Sequence, residues 1–231
     1  MAEQESHSDK PGFAGDGRPF NIADKYRDMP VKEIRDDVIA HSLEYVVMAL
    51  NIHGCLNIGN LMRTVNLCGA RKFIIFGRRK YDSRGCVGAQ HYIDMERVDA
   101  VRDADKRDFS DENLVDKLAE DDYILDEQVF MDYIMKNNYL PVFIEQDRFS
   151  RPATNDNIKA IIHRAKELNR VPCFILGNES FGIPRNILAT RIRFDLTYTL
   201  ELKQMGSIRS HNVANCGAIL CYKIMECFED I

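Results

Sequence analysis

The chain has 231 residues, of which 45% are hydrophobic, so it can bury one substantial core. No apolar run approaches the roughly 20 residues of a membrane-spanning helix, and the N-terminus lacks the basic and apolar regions of a secretory signal. These features exclude a membrane-embedded chain and favour a soluble, cytoplasmic protein. Because phosphate binding depends on Lys and Arg, the net charge of -5 means that any nucleic-acid site has to be a local basic patch.

The cysteine pattern bears on redox state and metal binding. The chain has seven cysteines, an odd number, and no CxxC pair. Most of them lie inside apolar segments, which is typical of reduced thiols in a core rather than of disulfides or a zinc site. We therefore expect reduced core cysteines and no bound metal.

The N-terminal region and one internal segment stand apart in composition. Residues 1–28 are polar and aperiodic, and we expect a flexible tail there, followed by one domain over 29–231. The segment Val31–Leu43 has apolar residues at helical spacing, which predicts an amphipathic helix. A carboxylate-rich segment near 99–126 lacks a sustained apolar period, so we expect an exposed acidic insertion.

Four short apolar runs rich in β-branched residues follow the first helix. They are separated by stretches of helical pattern and cover 44–52, 71–77, 140–147 and 171–178. Further helices are predicted over 57–69, 126–138, 155–169 and about 210–228. This alternation predicts an α/β fold with a largely parallel sheet flanked by helices.

Three segments place glycines and polar residues where open α/β sheets bind ligands, just after apolar strands. In the first, Asn57–Thr64, Asn57 is a candidate helix cap and Gly59 allows close approach of a backbone. Arg63 carries a planar fork suited to phosphate. Taken alone, Arg63 would more often be a solvated surface arginine.

The second segment, Leu176–Pro184, runs from an apolar strand through Gly177 to the carboxylate of Glu179 and a turn at Gly182. A loop that cradles a ligand explains this composition. An ordinary structural turn with an exposed Glu179 explains it nearly as well.

The third segment, Gln204–Leu220, is a glycine-containing loop that leads into a helix. Ser210 and Asn212 lie at the start of that helix, and Gly217 is one of several small residues that permit close helix packing. For this segment alone, a terminal helix with Ser210 as its N-cap is the alternative interpretation.

Together the three segments resemble the three motifs of the SpoU (TrmH) family of RNA 2'-O-ribose methyltransferases, within the SPOUT superfamily. The matching residues are Asn57, Gly59, Arg63 and Thr64 in the first motif, Gly177, Asn178, Glu179 and Gly182 in the second, and Ser210, Asn212 and Val213 in the third. The segment around Gly88 and Ala89 is similar to the family's linker between motifs. The resemblance covers roughly 44–228.

The resemblance implies a C-terminal trefoil knot that binds S-adenosylmethionine, and a homodimer in which Arg63 acts near the partner's cofactor. Rules of chain connectivity alone predict an unknotted sheet. Arg63 is the implied catalytic residue, and the side chains that shape the active site around it are Asn57, Glu179, Ser210 and Asn212. The implied cofactor-binding residues are Glu145, Gly177, Asn178, Glu179, Gly182, Leu202 and His211.

RNA contacts are expected from Arg63, from a basic cluster after the second strand and from one arginine beside the third motif. The cluster and that arginine are Arg78, Arg79, Lys80, Arg84 and Arg209. Solvated surface charge explains the cluster about equally well. The LGNE, GIP and GxIRSxNV elements are similar to those of eukaryotic tRNA guanosine 2'-O-methyltransferase domains, which favours tRNA over rRNA.

The sequence departs from the family pattern in the third loop. His211 stands where members usually carry leucine, and Lys203 and Gln204 stand where many carry proline and methionine. With the acidic net charge, these departures make a non-catalytic RNA-binding protein of the same fold the alternative function. A nucleotide-dependent enzyme on an ordinary Rossmann sheet is less favoured, since neither GxGxxG nor GxxxxGK occurs.

Overall fold

The computed structural model describes residues 21–77, 80–100 and 125–229. Within these residues the chain forms one seven-stranded sheet in the order β3-β2-β1-β6-β4-β7-β5, and every strand pair is parallel. The strands are β1 Leu43–Leu50, β2 Ala70–Phe76, β3 Met95–Val98, β4 Tyr139–Ile144, β5 Arg151–Pro152, β6 Val171–Leu176 and β7 Tyr198–Glu201. The predicted α/β class with a parallel sheet is confirmed.

Helices cover both faces of this sheet. Their bounds are α1 Val31–Ala40, α2 Cys55–Leu67, α3 Ser83–Cys86, α4 Glu127–Lys136, α5 Asn155–Glu167, α6 Arg185–Ala189 and α7 Val213–Glu229. Buried residues of α2, α5 and α7 pack on one face, and those of α4 and α6 pack on the other. Since a parallel strand joins its neighbour through a crossover, this layering follows from the alternation of strands and helices in the sequence.

The central strand β1 shows why its sequence is apolar throughout. Tyr45, Val47 and Ala49 belong to the hydrophobic cluster on one face of the sheet, while Val46 and Met48 belong to the cluster on the opposite face. All are buried. Successive side chains of a strand point to opposite faces, so a strand covered on both sides has to be apolar at every position.

The last helix packs closely on α2. A Cβ atom built on Gly217 would lie 2.2 Å from Cδ1 of Leu61 in α2, so any larger residue would force the buried Leu61 side chain to move. Gly217, one of the small residues predicted to permit close packing, therefore serves contact within one chain. The contact matters for the site because it fixes the N-terminal ends of both helices at the same edge of the sheet.

Several predicted boundaries and positions change in the structure. The final helix begins at Val213 instead of near Ser210. Cys55 lies at the surface, while the other six cysteines are buried or partly buried, and none of the seven forms a disulfide. The sequence prediction missed three strands, namely β3, β5 and β7. They are four, two and four residues long, too short to show the long apolar run that marks a buried strand.

The two segments expected to be outside the core lie partly outside the described residues. At the end of the expected tail, residues 24–26 form a 3-10 helix, and the hydroxyl of Tyr26 donates to Asp37 of α1 at 2.6 Å. Residues 101–124 of the expected insertion are not described, but its ends meet, since Asp126 N donates to Ala100 O at 2.7 Å. No helix of the described chain is long and apolar enough to cross a membrane.

Candidate functional site

The three predicted segments meet at the carboxyl edge of the sheet. The segment 51–54 follows β1, the segment 177–184 follows β6, and the segment 202–212 follows β7. Strands β1 and β6 are hydrogen-bonded neighbours, and β4 joins β6 to β7. Because parallel strands end at the same edge, segments far apart in sequence form one site there.

The carboxylate of Glu179 connects the second segment to the first. It accepts hydrogen bonds from His53 N at 2.8 Å, from Gly54 N at 3.0 Å and from Asn57 Nδ2 at 2.8 Å. Burial acts to raise the pKa of Glu179, but these hydrogen bonds outweigh burial and hold the pKa below its usual value. Glu179 is therefore an ionised group at the positive N-terminal end of α2.

Asn57 and Asn212 connect the first segment to the third. Asn212 Nδ2 donates to Asn57 Oδ1 at 3.2 Å, and Asn212 Oδ1 accepts from Ala214 N at 2.9 Å. Asn212 is thus the N-cap of α7, a role that the alternative interpretation gave to Ser210. Asn57 does not cap α2, because Gly54 occupies the N-cap position and Asn57 lies inside the first turn.

A tight turn over 178–182 forms one wall of the site. Asn178 and Gly182 exchange two backbone hydrogen bonds at 2.8 and 2.9 Å. The carboxylate of Glu145, which follows β4, accepts from Ile183 N at 2.8 Å. Gly177 lies so close to the turn that a Cβ atom there would be 2.3 Å from the carbonyl carbon of Gly182. The glycines are required because backbone meets backbone at this point.

These segments enclose a cavity of about 260 Å³, which we call the strand-end cavity. It is lined by all seven predicted cofactor-binding residues and by Ser210: Glu145, Gly177, Asn178, Glu179, Gly182, Leu202, Ser210 and His211. Sequence reasoning missed Gln146, Phe181 and Cys216, which also line it. Burial raises the pKa of the Cys216 thiol to about 11, so this thiol stays protonated and is a poor nucleophile near neutral pH.

Two glutamines that the sequence analysis did not assign close the third loop over the cavity. With the Gln204 amide oriented so that its donors face acceptors, it donates to Arg209 O at 2.7 Å and accepts from Gln146 Nε2 at 2.7 Å. Gln146 follows Glu145 at the end of β4, so its position after a strand was the available signal. The pair ties the loop after β4 to the loop after β7.

Arg63 does not line the strand-end cavity. It is exposed on α2 and lines a second cavity of about 440 Å³, together with Tyr26, Asn66 and Tyr92. Asn57 and Arg63 are six residues apart, so their side chains leave the helix about 120° apart and about 9 Å apart along its axis. Within the described chain, Arg63 forms no hydrogen bond with Asn57 or Glu179. One chain therefore places the two parts of the predicted active site on different surfaces.

The predicted RNA-binding arginines are in different situations. Arg78 and Arg79 lie outside the described residues. Arg84 binds the carboxylate of Asp82 through three hydrogen bonds of 2.6 to 3.1 Å, and these bonds raise the pKa of Arg84 and lower that of Asp82. The positive charge of Arg84 is therefore already paired with the carboxylate of Asp82. Arg209, in contrast, lines the strand-end cavity.

The site offers no metal centre in the part of the chain that the structure describes. Over 21–77, 80–100 and 125–229, no group of three His, Cys, Asp or Glu side chains could hold a metal ion. The carboxylates of the site instead accept hydrogen bonds from backbone and amide groups.

The fold is that of the SpoU methyltransferases. Solved structures with this fold, among them SpoU/TrmH family RNA methyltransferases, match the chain over more than four fifths of its length. The resemblance drawn from the motifs is thus confirmed at the level of the fold. The knot stays a prediction from the resemblance. No protein-family model and no curated protein sequence matches the chain.

Three solved structures illustrate the likeness. The TrmH/SpoU tRNA modifying enzyme of A. aeolicus has a TM-score of 0.58 and 16% identity, with 87% of this chain and 83% of that chain covered. The SpoU methyltransferase AviRb from Streptomyces viridochromogenes, in complex with AdoMet, gives 0.52 and 18%, with 83% and 62% covered. The AdoMet-bound rRNA methyltransferase from Sinorhizobium meliloti gives 0.53 and 18%, with 84% and 59% covered. This chain spans about three fifths of the length of the latter two.

Proposed function

We propose that the protein is an S-adenosylmethionine-dependent RNA methyltransferase that acts on a ribose 2'-hydroxyl. One observation carries this proposal. Glu179, Asn57 and Asn212, one from each predicted motif, form a continuous hydrogen-bonded network beside the strand-end cavity. Three segments that resemble motifs of one enzyme family therefore act as a unit, in a chain with the fold of that family.

The strand-end cavity fits the chemistry of the cofactor. S-adenosylmethionine carries a positively charged sulfonium, and the cavity is lined by the carboxylates of Glu145, Glu179 and Glu201 against the single guanidinium of Arg209. The excess of negative charge favours a cation there. Ile144 and Leu176 at the strand ends supply an apolar surface for an adenine ring. We assign the remaining predicted cofactor-binding residues to this cavity as well.

The protein's own contribution to the reaction is to hold two reactants in place. When bound, the cofactor would supply an electrophilic methyl group to the ribose oxygen and leave as neutral S-adenosylhomocysteine, while the hydroxyl proton would pass to solvent. We assign Arg63 to the acceptor, since its charged planar fork can hold a phosphate and the adjacent ribose. Glu179, Asn57, Ser210 and Asn212 shape the site in which the acceptor meets the cofactor.

We propose that the enzyme is a homodimer in which Arg63 completes the partner's site. Two observations support this arrangement. Arg63 lines a different cavity from the strand-end cavity of its own chain, and the described structure gives it no ion-pair partner of its own. A two-fold dimer would provide two equivalent sites, each with residues from both chains.

We propose tRNA as the substrate in preference to rRNA. The support comes from the LGNE, GIP and GxIRSxNV elements of the sequence and from the A. aeolicus tRNA modifying enzyme, which shares the fold. We place the reaction in the cytoplasm, since seven cysteines without a disulfide are typical of a reducing compartment.

The proposal is tested by separating cofactor binding from methyl transfer. Calorimetric titration with S-adenosylmethionine and S-adenosylhomocysteine should show saturable binding, and incubation with bulk tRNA should give 2'-O-methylated nucleosides detectable by mass spectrometry. Arg63→Ala should reduce transfer by about 100-fold or more and leave cofactor binding unchanged, because Arg63 lies outside the cavity.

Arg71→Ala is the matched control, since Arg71 is an exposed arginine at the start of β2, at the opposite edge of the sheet. It should retain full activity. Absence of binding to either cofactor form would reject the enzyme and favour the non-catalytic RNA-binding alternative. Loss of cofactor binding in Arg63→Ala would contradict the assignment of Arg63 to the acceptor.

A further inference from the structure

A second feature lies at the carboxyl edge of the sheet, in the turn over 147–150 between β4 and β5. The ring of Phe149 is 59% exposed at this turn. Single exposed aromatic residues are common on protein surfaces, so exposure alone decides nothing. Phe149 differs from other exposed aromatic residues because hydrogen bonds hold its turn and two arginine guanidiniums lie near its ring.

The turn is held rigidly by hydrogen bonds. Asp147 Oδ1 accepts from Phe149 N at 2.7 Å, and Ser150 N donates to Asp147 O at 3.1 Å. Ser150 Oγ accepts from Asp147 N at 3.0 Å and donates to Glu145 O at 2.6 Å. The backbone that carries Phe149 is therefore held in place, and the ordering of the turn is already complete before any ligand binds.

Two guanidiniums lie over the ring of Phe149. The Cζ atoms of Arg148 and Arg191 are 4.6 and 5.2 Å from the ring centroid, within the range of cation–π contact. Arg191 is fixed by an ion pair with Asp147 and a hydrogen bond to Thr199. Arg148 is exposed and has no carboxylate partner in the part of the chain that the structure describes. Arg148 alone is thus free to leave the ring for a phosphate.

The turn is joined directly to the wall of the strand-end cavity. Glu145, whose backbone oxygen accepts from Ser150, also holds the cavity turn through Ile183 N. Gln146, the next residue, lines the cavity and donates to Arg209 O at 3.4 Å. Phe149 is three residues from Gln146, so their Cα atoms are at most about 11 Å apart, and a chain of nucleotides with one ribose at the cavity can span that distance.

We propose that Phe149 is a stacking platform for a nucleobase of the RNA substrate next to the modified nucleotide, with Arg148 binding the adjoining phosphate. The inference rests on the proposed function, which supplies the RNA. Aromatic rings stack on bases, and arginine provides both stacking and phosphate contacts, so this pairing recognises single-stranded or splayed nucleotides without a metal or a further domain. A ring carried on a braced turn, beside one arginine that can move, suits a nucleotide. An apolar protein partner would not use the positive charges of Arg148 and Arg191 near the ring.

The absence of tryptophan from the sequence gives a direct test. Phe149→Trp retains the stacking surface and introduces a single fluorophore, whose emission should be quenched as a short single-stranded RNA or bulk tRNA is titrated. Met135→Trp is the control, because Met135 is 55% exposed on α4, next to the start of β4 at the opposite edge of the sheet. Its emission should not change.

Affinity and kinetics provide the second measurement. Phe149→Ala should weaken tRNA binding about 10-fold and raise the KM for tRNA with little change in kcat, because the platform binds ground state and transition state alike. Phe149→Tyr should restore wild-type values. Cofactor affinity should be equal in all variants, which separates the platform from the cavity wall.

The failures of the two proposals can be told apart. Suppose that the wild-type protein methylates tRNA, Phe149→Ala keeps the wild-type KM for tRNA and the emission of Phe149→Trp is not quenched. The stacking proposal is then wrong and the proposed function stands. A protein-docking role for this surface would give that result. If the wild-type protein binds no RNA, both proposals are overturned.

Discussion

At the scale of single residues, Glu179 does the most to hold the site together. Its carboxylate accepts from the N–H of Gly54, the N-cap residue of α2, and from the N–H of His53 just before it. A charged acceptor is well placed at this helix end, where unpaired N–H groups and the helix dipole favour an anion. The same carboxylate orients Asn57 toward Asn212.

This role predicts a pH dependence of stability. Since the pKa of Glu179 is lower in the folded protein, its contribution is fully present above the ordinary glutamate pKa of about 4.3 and is lost as pH falls through the lowered value. Glu179→Gln should be less stable than wild type by about 2 kcal/mol at neutral pH. Thermal unfolding between neutral and acidic pH should show this difference shrinking as the pH falls.

Glu167→Gln serves as the control for this measurement. Glu167 is exposed and pairs with Arg164 on the surface of α5, so the change should have little effect on stability at any pH. Equal stability of Glu179→Gln and wild type at neutral pH would show that the carboxylate charge is not needed to hold the loops.

Sequence reasoning found about half of the residues that line the cavity, and its failures at this scale have physical reasons. Gln146 and Gln204 were not assigned, because a position beyond a strand end is a weak signal for a glutamine until its partner is known. Asn57 was expected to cap α2, but Gly54 occupies the N-cap position and its N–H donates to Glu179, more than a hundred residues away in sequence. A hydrogen bond of that range leaves no local pattern in the sequence.

At the scale of elements, the start of α7 combines a structural and a functional task. Asn212 caps the helix through Ala214 N and also reaches Asn57. Asn212→Ala should lose about 1 kcal/mol of stability, the usual value of an N-cap, and should also weaken cofactor binding, because Ser210 and His211 lose their fixed position at the cavity. Chemical denaturation and calorimetric titration would measure the two effects.

Thr154→Ala is matched to this change, since the hydroxyl of Thr154 accepts from Asn157 N as the N-cap of α5. It should lower stability by a similar amount and leave cofactor affinity at the wild-type value. If both variants bind the cofactor equally well, Asn212 has only a capping role.

The elements themselves were predictable where they were long. The face of α5 formed by Ile158, Ile161, Ile162 and Ala165 is buried as its spacing predicts, and the central strands coincide with the apolar runs. The two-residue strand β5 is defined only by its pairing with β7, which is a property of the assembled sheet. No sequence pattern of that length could have specified it.

At the scale of the whole molecule, the separation of Arg63 from the strand-end cavity predicts complementation between subunits. The Arg63→Ala variant retains the strand-end cavity but lacks the arginine. The Gly182→Val variant retains Arg63 but loses the turn over 178–182. Gly182 has a φ of 70°, and a Cβ atom there would lie 2.4 Å from Glu145 Oε2. Each variant alone should be inactive. After co-refolding in equal amounts, random pairing should restore about a quarter of wild-type activity.

This recovery depends on action across the dimer, because only a mixed dimer then contains one site with both parts intact. Circular dichroism should show that Gly182→Val remains folded, and sedimentation should show that both variants are dimers. Mixed dimers without activity would show that Arg63 serves the cavity of its own chain.

The global architecture was predictable in class, since parallel sheets follow from alternating strands and helices. The position of the site followed from the rule that ligands bind at the carboxyl edge of such sheets. The placement of Arg63 relative to the cavity did not follow from these rules and was implied only by the family resemblance, because it depends on the phase of α2 against the sheet. That phase is set by tertiary contacts such as Gly217 against Leu61.

The hydrogen bond between Asn57 and Asn212 spans 155 positions of the chain, and this separation governs when the site can exist during synthesis. A ribosome delivers Asn57 long before Asn212, and the nascent domain folds as its elements emerge. Until α7 has left the exit tunnel, Glu179 has no link to the third loop and the cavity lacks one wall. For the proposed methyltransferase, a truncated product is therefore unable to hold the cofactor, and methylation is restricted to chains whose translation has passed α7.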